Sequence, residues 1–122
     1  MIKILFKANS RYPLARKRIR RLIKNVLGKY GEGKNIEISV FVCGDRKMKA
    51  LNSHYRKIDK TTDVLSFPLK EKQFPDGFLR FGDIVISYPL ARKQANQNNL
   101  TVDEEIDRLI KHGVLSLLGL ED

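Results

Sequence analysis

Alternation of apolar and polar side chains predicts four β-strands in this chain. The clearest alternation covers residues 35–43, where isoleucine and valine recur at every second position. Residues 2–8 predict a shorter strand of the same kind. Residues 62–69 and 83–87 predict two more strands, and the polar residues 70–82 between them predict a loop because they include glycine and proline.

Apolar residues at helical spacing, together with end signals, predict four helices. The first begins at Pro13, whose missing N–H is harmless in a first helical turn. The second begins at Asp45, a residue suited to cap it, and a short third helix begins at Pro89. The last helix is the best defined, because Thr101 and Glu104 form the T-x-x-E pattern of a capping box.

The order of these elements, β-α-β-α-β-β-α-α, indicates an α+β fold. A chain of 122 residues suits one compact domain, and the sequence contains no repeat or linker that would divide it. We therefore expect residues 1–122 to form a single domain with a mixed four-stranded sheet and helices packed on it.

Charge is distributed unevenly along the chain. The formal net charge is +10, and residues 1–30 contain ten Lys and Arg residues but no Asp or Glu. The remaining residues carry equal numbers of basic and acidic side chains, so the whole excess lies in the first quarter. A concentrated basic surface favours a polyanionic partner, which leaves RNA, DNA and an anionic membrane open.

The first helix combines an apolar stripe with a basic face. It lacks the Trp or Phe anchors of a helix that lies on a membrane, so the basic face favours nucleic acid over lipid. The residues predicted to bind RNA are Arg16, Lys17, Arg20, Arg21 and Lys24.

No segment indicates a membrane or an exported location. No run approaches the roughly 18 apolar residues of a membrane span, and the apolar N-terminus is too short for a signal peptide. We therefore expect a cytoplasmic protein with no membrane partner. The single cysteine, Cys43, lies in an apolar run and is predicted to be a small core residue.

The last helix offers one candidate metal ligand. His112 and Ser116 are four residues apart and share a helix face, but a neutral serine hydroxyl is a poor ligand. Asp122 adds a carboxylate. One histidine and one aspartate fall short of the three protein ligands of a typical catalytic zinc site. From the residues alone, His112 is either a structural histidine or a ligand.

Several motifs occur in the order typical of one family. Residues 112–122 read H-G-V-L-S-L-L-G-L-E-D, close to the pattern H-G-x-L-H-L-x-G-Y-D-H. Residues 51–56, 62–68 and 81–87 are similar to the motifs L-N-x-x-Y-R, T-D-V-L-S-F-P and L-G-D-I-V-I-S. Over nearly its whole length, the sequence therefore resembles the YbeY family of metal-dependent endoribonucleases that mature ribosomal RNA.

The resemblance implies a zinc cofactor, single-stranded RNA as substrate, and ribosomal RNA or the ribosome as partner. Arg56 matches the arginine of the Y-R motif and is assigned the catalytic role of clamping phosphate, since a guanidinium can hold two phosphate oxygens. His112 and Asp122 are assigned to the metal, and Ser116 occupies the position of the second family histidine.

The C-terminal departures from the family pattern keep two hypotheses open. The first is a zinc-dependent endoribonuclease with an impaired metal site, and the second is a non-catalytic RNA- or ribosome-binding relative that has lost the metal. A metalloprotease is disfavoured, because Gly113 stands where a zincin has its catalytic glutamate. The sequence leaves open the oligomeric state and whether the motif is natural, altered or truncated.

Overall fold

A computed structural model describes residues 1–29, 35–69 and 77–120. Its strands and helices follow the predicted order. Across these ranges, no helix combines the length and the apolar character that crossing a bilayer requires. The elements are β1 (Ile2–Ala8), α1 (Arg16–Lys29), β2 (Ile36–Cys43), α2 (Asp45–Arg56), β3 (Val64–Pro68), β4 (Leu79–Ser87), α3 (Tyr88–Gln97) and α4 (Val102–Leu117).

The four strands form one mixed sheet in the order β1-β2-β4-β3. β1 and β4 both run parallel to β2, and β3 runs antiparallel to β4. The parallel pairs require crossover connections, which α1 supplies between β1 and β2. The predicted fold class, α+β with a mixed four-stranded sheet and helices packed on it, is confirmed.

One face of the sheet carries the main hydrophobic core. Ile38 of β2 and Ile84 of β4 are fully buried there against Ile23 of α1 and Leu109 of α4. Full burial of one such side chain contributes about 1.5–3 kcal/mol to stability. The alternation in the sequence therefore predicts correctly which side of each strand faces the core.

The opposite face of the sheet is only partly covered by the described residues. α2 packs on it through Met48, which is fully buried against Leu65 of β3 and Val85 of β4. Phe41 and Cys43 of β2 lie at the border of this small cluster and are half-buried. The predicted core position of Cys43 is therefore correct only in part, and a groove remains beside α2.

α4 approaches β4 closely at two glycines. A Cβ atom on Gly82 would lie 2.5 Å from Leu117 Cδ2 and 2.8 Å from the carbonyl oxygen of Phe67. A Cβ atom on Gly113 would lie 2.9 Å from Ile84 Cγ2. Glycine at both positions therefore lets the helix lie against the sheet, next to β3.

The first helix begins later than predicted. α1 starts at Arg16, and its first helical hydrogen bond joins the N–H of Ile19 to the carbonyl of Ala15. Upstream, the N–H of Tyr12 donates to the carbonyl of Asn9 and closes a turn. This turn precedes Pro13, so the proline lies in the connection and not in the first helical turn.

Two other local predictions are wrong. β4 begins at Leu79, within the predicted loop, because Leu79 and the residues after it pair with the start of β2. Asp45 does not cap α2; the cap is Gly44, and Asp45 Oδ1 instead accepts a hydrogen bond of 2.5 Å from Ser87 Oγ. In both cases, a partner distant in the sequence determines the local structure.

Candidate functional site

The basic face of α1 is exposed to solvent. Among the residues that the structure describes, none of its five members forms an ion pair with a carboxylate. Their charges are therefore available to an external polyanion. This α1 basic face consists of Arg16, Lys17, Arg20, Arg21 and Lys24.

Two arginines of the α1 basic face lie over one aromatic ring. The Cζ atoms of Arg16 and Arg20 are 5.5 Å and 4.9 Å from the centroid of the half-buried Phe6 ring. This cation–π contact holds the two guanidinium groups near each other. Arg18 has a different role, since its Nη2 lies 2.6 Å from Asp107 Oδ2 and joins α1 to α4.

Arg56 is exposed at the C-terminal end of α2. Lys57 follows in the left-handed conformation with φ of 61°, and its N–H donates to the carbonyl of Ser53, which ends the helix. The ring of Tyr55 contacts that of Phe67 in β3, with centroids 5.1 Å apart. The end of α2 is therefore fixed next to β3.

His112 is exposed on α4, on the other side of β3. The carbonyl of the adjacent Gly113 accepts a hydrogen bond of 3.4 Å from Ser66 Oγ. Ser66 and Phe67 are successive strand residues, so their side chains point to opposite faces of the sheet. α2, which ends at Arg56, and α4, which carries His112, therefore both contact β3.

The described residues do not fit a complete catalytic zinc site. In the three described ranges, no three His, Cys, Asp or Glu side chains are grouped so that they could hold a metal ion. Ser116 is half-buried on the same helix as His112, and its neutral hydroxyl is a weak ligand. The other predicted ligand, Asp122, lies outside the described residues. This site therefore has one strong described ligand, against three in a typical catalytic site.

A buried polar network, which was not predicted from the sequence, joins α3, α4 and the residue before β3. Glu105, which the sequence places in the acidic first turn of a helix, is fully buried. Arg108 donates to its two carboxylate oxygens at 2.9 and 2.6 Å and lies 3.8 Å from Asp63 Oδ2. With its amide nitrogen facing the carboxylates, Gln94 donates to Glu105 at 2.8 Å and to Asp63 at 3.2 Å. Glu105 and Arg108 are three residues apart on one helix, and this spacing could have predicted their ion pair from the sequence.

A groove of about 860 Å³ lies between α2 and the partly covered face of the sheet. Aromatic rings from three elements line it, namely Phe41 of β2, Tyr55 of α2 and Phe67 of β3. The volume falls in the range of about 300–1,000 Å³ that small-molecule sites occupy. This groove was not predicted from the sequence, because it forms only when the three elements pack together.

Charged groups line the same groove. Lys7 of β1 and Lys47 of α2 are both exposed, and Asp83 projects from β4. Burial raises the pKa of the Asp83 carboxyl, repulsion from Glu37 adds to this rise, and a hydrogen bond with Ser39 opposes it. The sequence predicts a strand that starts at Asp83, but this residue lies within β4 because the strand begins at Leu79.

Comparison with known proteins identifies the family. The family model described as Endoribonuclease YbeY matches residues 5–122. A protein of that name from Aquifex aeolicus is 45% identical over 87 residues, covering 71% of this chain and 57% of the relative. Those from Persephonella marina and an Anaeromyxobacter species are 47% and 40% identical, covering 71% and 93% of this chain.

The chain spans between half and two thirds of the length of these relatives, since it covers 57% and 59% of the latter two. A solution structure of a Thermotoga maritima protein has a TM-score of 0.63 and covers 99% of this chain and 74% of that chain. It is 24% identical and supports the fold alone. Because the family model spans nearly the whole sequence, the resemblance is confirmed, and the chain belongs to the endoribonuclease YbeY family.

Proposed function

We propose that this chain is an endoribonuclease that acts on single-stranded regions of ribosomal RNA in the cytoplasm. The observation that carries the proposal is the α1 basic face, which is exposed and has no carboxylate partner among the described residues. Relatives of this chain are named as endoribonucleases, and RNA is the polyanion that such an enzyme must bind.

The position of the charges on α1 also supports binding of phosphate. Arg16, Lys17 and Arg18 lie in the first turn, which contains no acidic residue. The positive end of the helix dipole lies at this turn. Arg18 is paired with Asp107, but the charges of Arg16 and Lys17 oppose each other and the dipole. A bound phosphate relieves this repulsion, and the favourable interaction adds to the release of counterions from the RNA.

Arg56 is the proposed catalytic residue. It is exposed next to β3, and its guanidinium can donate two parallel hydrogen bonds to a phosphate. Fixed donors of this kind stabilise the charge that develops at a phosphate during cleavage. Zinc is the proposed cofactor and His112 with Asp122 its proposed ligands, but with Ser116 between them we expect low zinc occupancy and weak cleavage.

A specific observation favours the second candidate function, a non-catalytic RNA- or ribosome-binding protein. His112 is the one strong candidate ligand at the described part of this site, and the position where the resemblance implies a second ligand holds Ser116, whose neutral hydroxyl binds metal weakly. The α1 basic face does not depend on the metal. RNA binding without cleavage is therefore the outcome that distinguishes this alternative.

The test measures binding and cleavage of a single-stranded ribosomal RNA fragment across a salt series. In the α1 variant, Arg16, Arg20 and Lys24 are changed to Glu, and in a matched control the same change is made at Arg46, Lys49 and Lys93, which are exposed on α2 and α3. We expect the α1 variant to bind more weakly and to lose about 0.7 from the salt slope for each phosphate contact removed.

Arg56→Ala and Arg56→Lys test the catalytic role. Lysine keeps the positive charge but cannot donate two parallel hydrogen bonds to one phosphate. We therefore expect both variants to bind RNA as the wild type does and to cleave it more slowly. If the wild type neither binds nor cleaves RNA, both candidate functions are wrong. An equal loss of affinity in the α1 variant and its control would remove α1 from the interface.

A further inference from the structure

We propose that the groove between α2 and the sheet binds an unstacked nucleobase of single-stranded RNA, with Lys7 and Lys47 contacting the phosphates on either side. This inference rests on the proposed function, since it assumes that RNA is the ligand. The groove lies on the side of the sheet opposite to α4, so it is distinct from the position of His112.

The three aromatic rings of the groove provide a surface for stacking. Tyr55 is 60% exposed. Its ring packs edge-to-face against that of Phe67, with the ring centroids 5.1 Å apart. Phe41 is half-buried on the sheet below. A tyrosine exposed to this degree loses water-accessible apolar surface when a base stacks on it, which favours binding. Proteins that hold single-stranded nucleic acid use aromatic rings in this way.

The charges around the rings complement a nucleotide. Lys7 Nζ lies 5.7 Å from the centroid of the Phe41 ring, at the β1 side of the groove. Lys47 lies at the α2 side, near Cys43; burial raises the pKa of that thiol, and the Lys47 charge partly opposes the rise. In the described part of the chain, neither lysine pairs with a carboxylate. Two cations on opposite sides of an aromatic surface match the phosphates on the two sides of one base.

Asp83 adds a preference among bases. Its carboxylate lines the groove and accepts hydrogen bonds, which suits the exocyclic amino group of cytosine. Uracil has a carbonyl oxygen at that position and is repelled by a carboxylate. We therefore expect a cytidine oligonucleotide to bind about fivefold more tightly than a uridine oligonucleotide of the same length. Asp83→Asn, whose amide donates as well as accepts, reduces that preference.

The chain contains its own reporter for the groove. Cys43 is the single cysteine and lines the groove, so its alkylation by iodoacetamide measures access to this site alone. Burial raises the pKa of the thiol, so the reaction is followed at alkaline pH. We expect saturating cytidine oligonucleotide to slow alkylation several-fold, and an oligonucleotide with one central abasic position to protect less.

Binding affinity provides the second measurement. Because one aromatic ring is lost for stacking, we expect Tyr55→Ala to lower the affinity for RNA about tenfold. Tyr55→Phe keeps the ring, so its affinity is expected to stay within about twofold of that of the wild type. Lys7→Ala combined with Lys47→Ala is compared with Lys49→Ala combined with Lys93→Ala, which removes equal charge elsewhere. Circular dichroism confirms that each variant is folded.

The outcomes separate this inference from the proposed function. Cys43 protection together with the loss in Tyr55→Ala supports the groove, and the absence of either result overturns it. If RNA binds and weakens in the α1 variant while the groove variants bind as wild type, only the groove inference is wrong. Protection of Cys43 that rises with protein concentration in the absence of RNA identifies a second copy as the occupant and also overturns it.

Discussion

Arg108 binds the buried carboxylate of Glu105 through two hydrogen bonds, from Nε to Oε1 at 2.9 Å and from Nη2 to Oε2 at 2.6 Å. The Glu105 side chain has no exposed surface, whereas that of Arg108 is 53% exposed. Removal of the arginine therefore leaves a buried charge, which in the described part of the chain retains the hydrogen bond from the Gln94 amide. We expect Arg108→Ala to lower the free energy of unfolding by about 3 kcal/mol in urea denaturation.

Glu105→Gln and Lys111→Ala are the controls for this prediction. Glutamine retains a hydrogen bond to the arginine and removes the buried charge, so we expect a smaller loss than in Arg108→Ala. Lys111 is exposed on the same helix, and its replacement is expected to change stability by about 0.5 kcal/mol or less. A loss in Arg108→Ala no larger than that in Lys111→Ala would show that the network does not stabilise the fold.

Elements specified by neighbouring residues were predicted well from the sequence. In the capping box of α4, the N–H of Thr101 donates to Glu104 Oε1 at 2.9 Å, and the N–H of Glu104 donates to Thr101 Oγ1 at 3.1 Å. The α1 basic face follows from helical periodicity in the same way. Both patterns are local, so one sequence contains all the information that they require.

Features that depend on distant partners were not predicted. Gly82 was interpreted as a loop residue, but it lies in β4, where Leu117 and the carbonyl of Phe67 leave no space for a Cβ atom. The burial of Glu105 and the groove next to Tyr55 likewise depend on how helices pack on the sheet. The periodicity of apolar residues indicates which face of a helix or strand is buried, but it does not indicate which other element packs on that face.

The strained backbone at Lys57 predicts a stabilising substitution. Lys57 has a φ of 61° after the last turn of α2, a position where glycine is favoured because it lacks a Cβ atom. We expect Lys57→Gly to raise the free energy of unfolding by about 1 kcal/mol. Asn99 also has a positive φ, of 56°, but asparagine tolerates this conformation, so Asn99→Gly is a matched control with a smaller effect. Equal effects in thermal denaturation would contradict the explanation.

The carboxyl of Asp83 predicts a dependence of stability on pH. Burial raises its pKa in the folded state. At a pH between the pKa of the unfolded chain, about 3.9, and the higher pKa of the folded protein, the folded state therefore binds more protons than the unfolded chain. Stability from this group therefore falls as pH rises from the unfolded pKa through the folded pKa. We expect Asp83→Asn to be more stable than the wild type at neutral pH and to lose this advantage in acid.

Glu104→Gln is the control of opposite sign. Hydrogen bonds from the backbone and side chain of Thr101 lower the pKa of Glu104, so its ionised form stabilises the fold above the unfolded pKa. The stabilisation is lost as pH falls through the folded pKa. We expect Glu104→Gln to be less stable than the wild type at neutral pH. Melting temperatures measured between acid and neutral pH must therefore diverge in opposite directions for the two variants.

The final prediction concerns the metal. The strong ligand at the described part of the proposed site is His112, and the resemblance to the family implies histidines at the positions of Ser116 and Asp122. We expect untagged protein to contain well under one zinc ion per chain by elemental analysis. Ser116→His combined with Asp122→His supplies three imidazoles and is expected to raise the zinc content towards one per chain.

A stability measurement separates specific binding from loosely bound metal. Zinc that binds only the folded state raises the melting temperature with increasing zinc concentration, and we expect this shift in the variant with three histidines and little or none in the wild type. His112→Ala in that variant removes the first ligand and must abolish both the shift and the bound zinc. If the wild type already holds one zinc ion per chain and loses it in His112→Ala, Ser116 does not impair the site, because Asp122 or another group completes it.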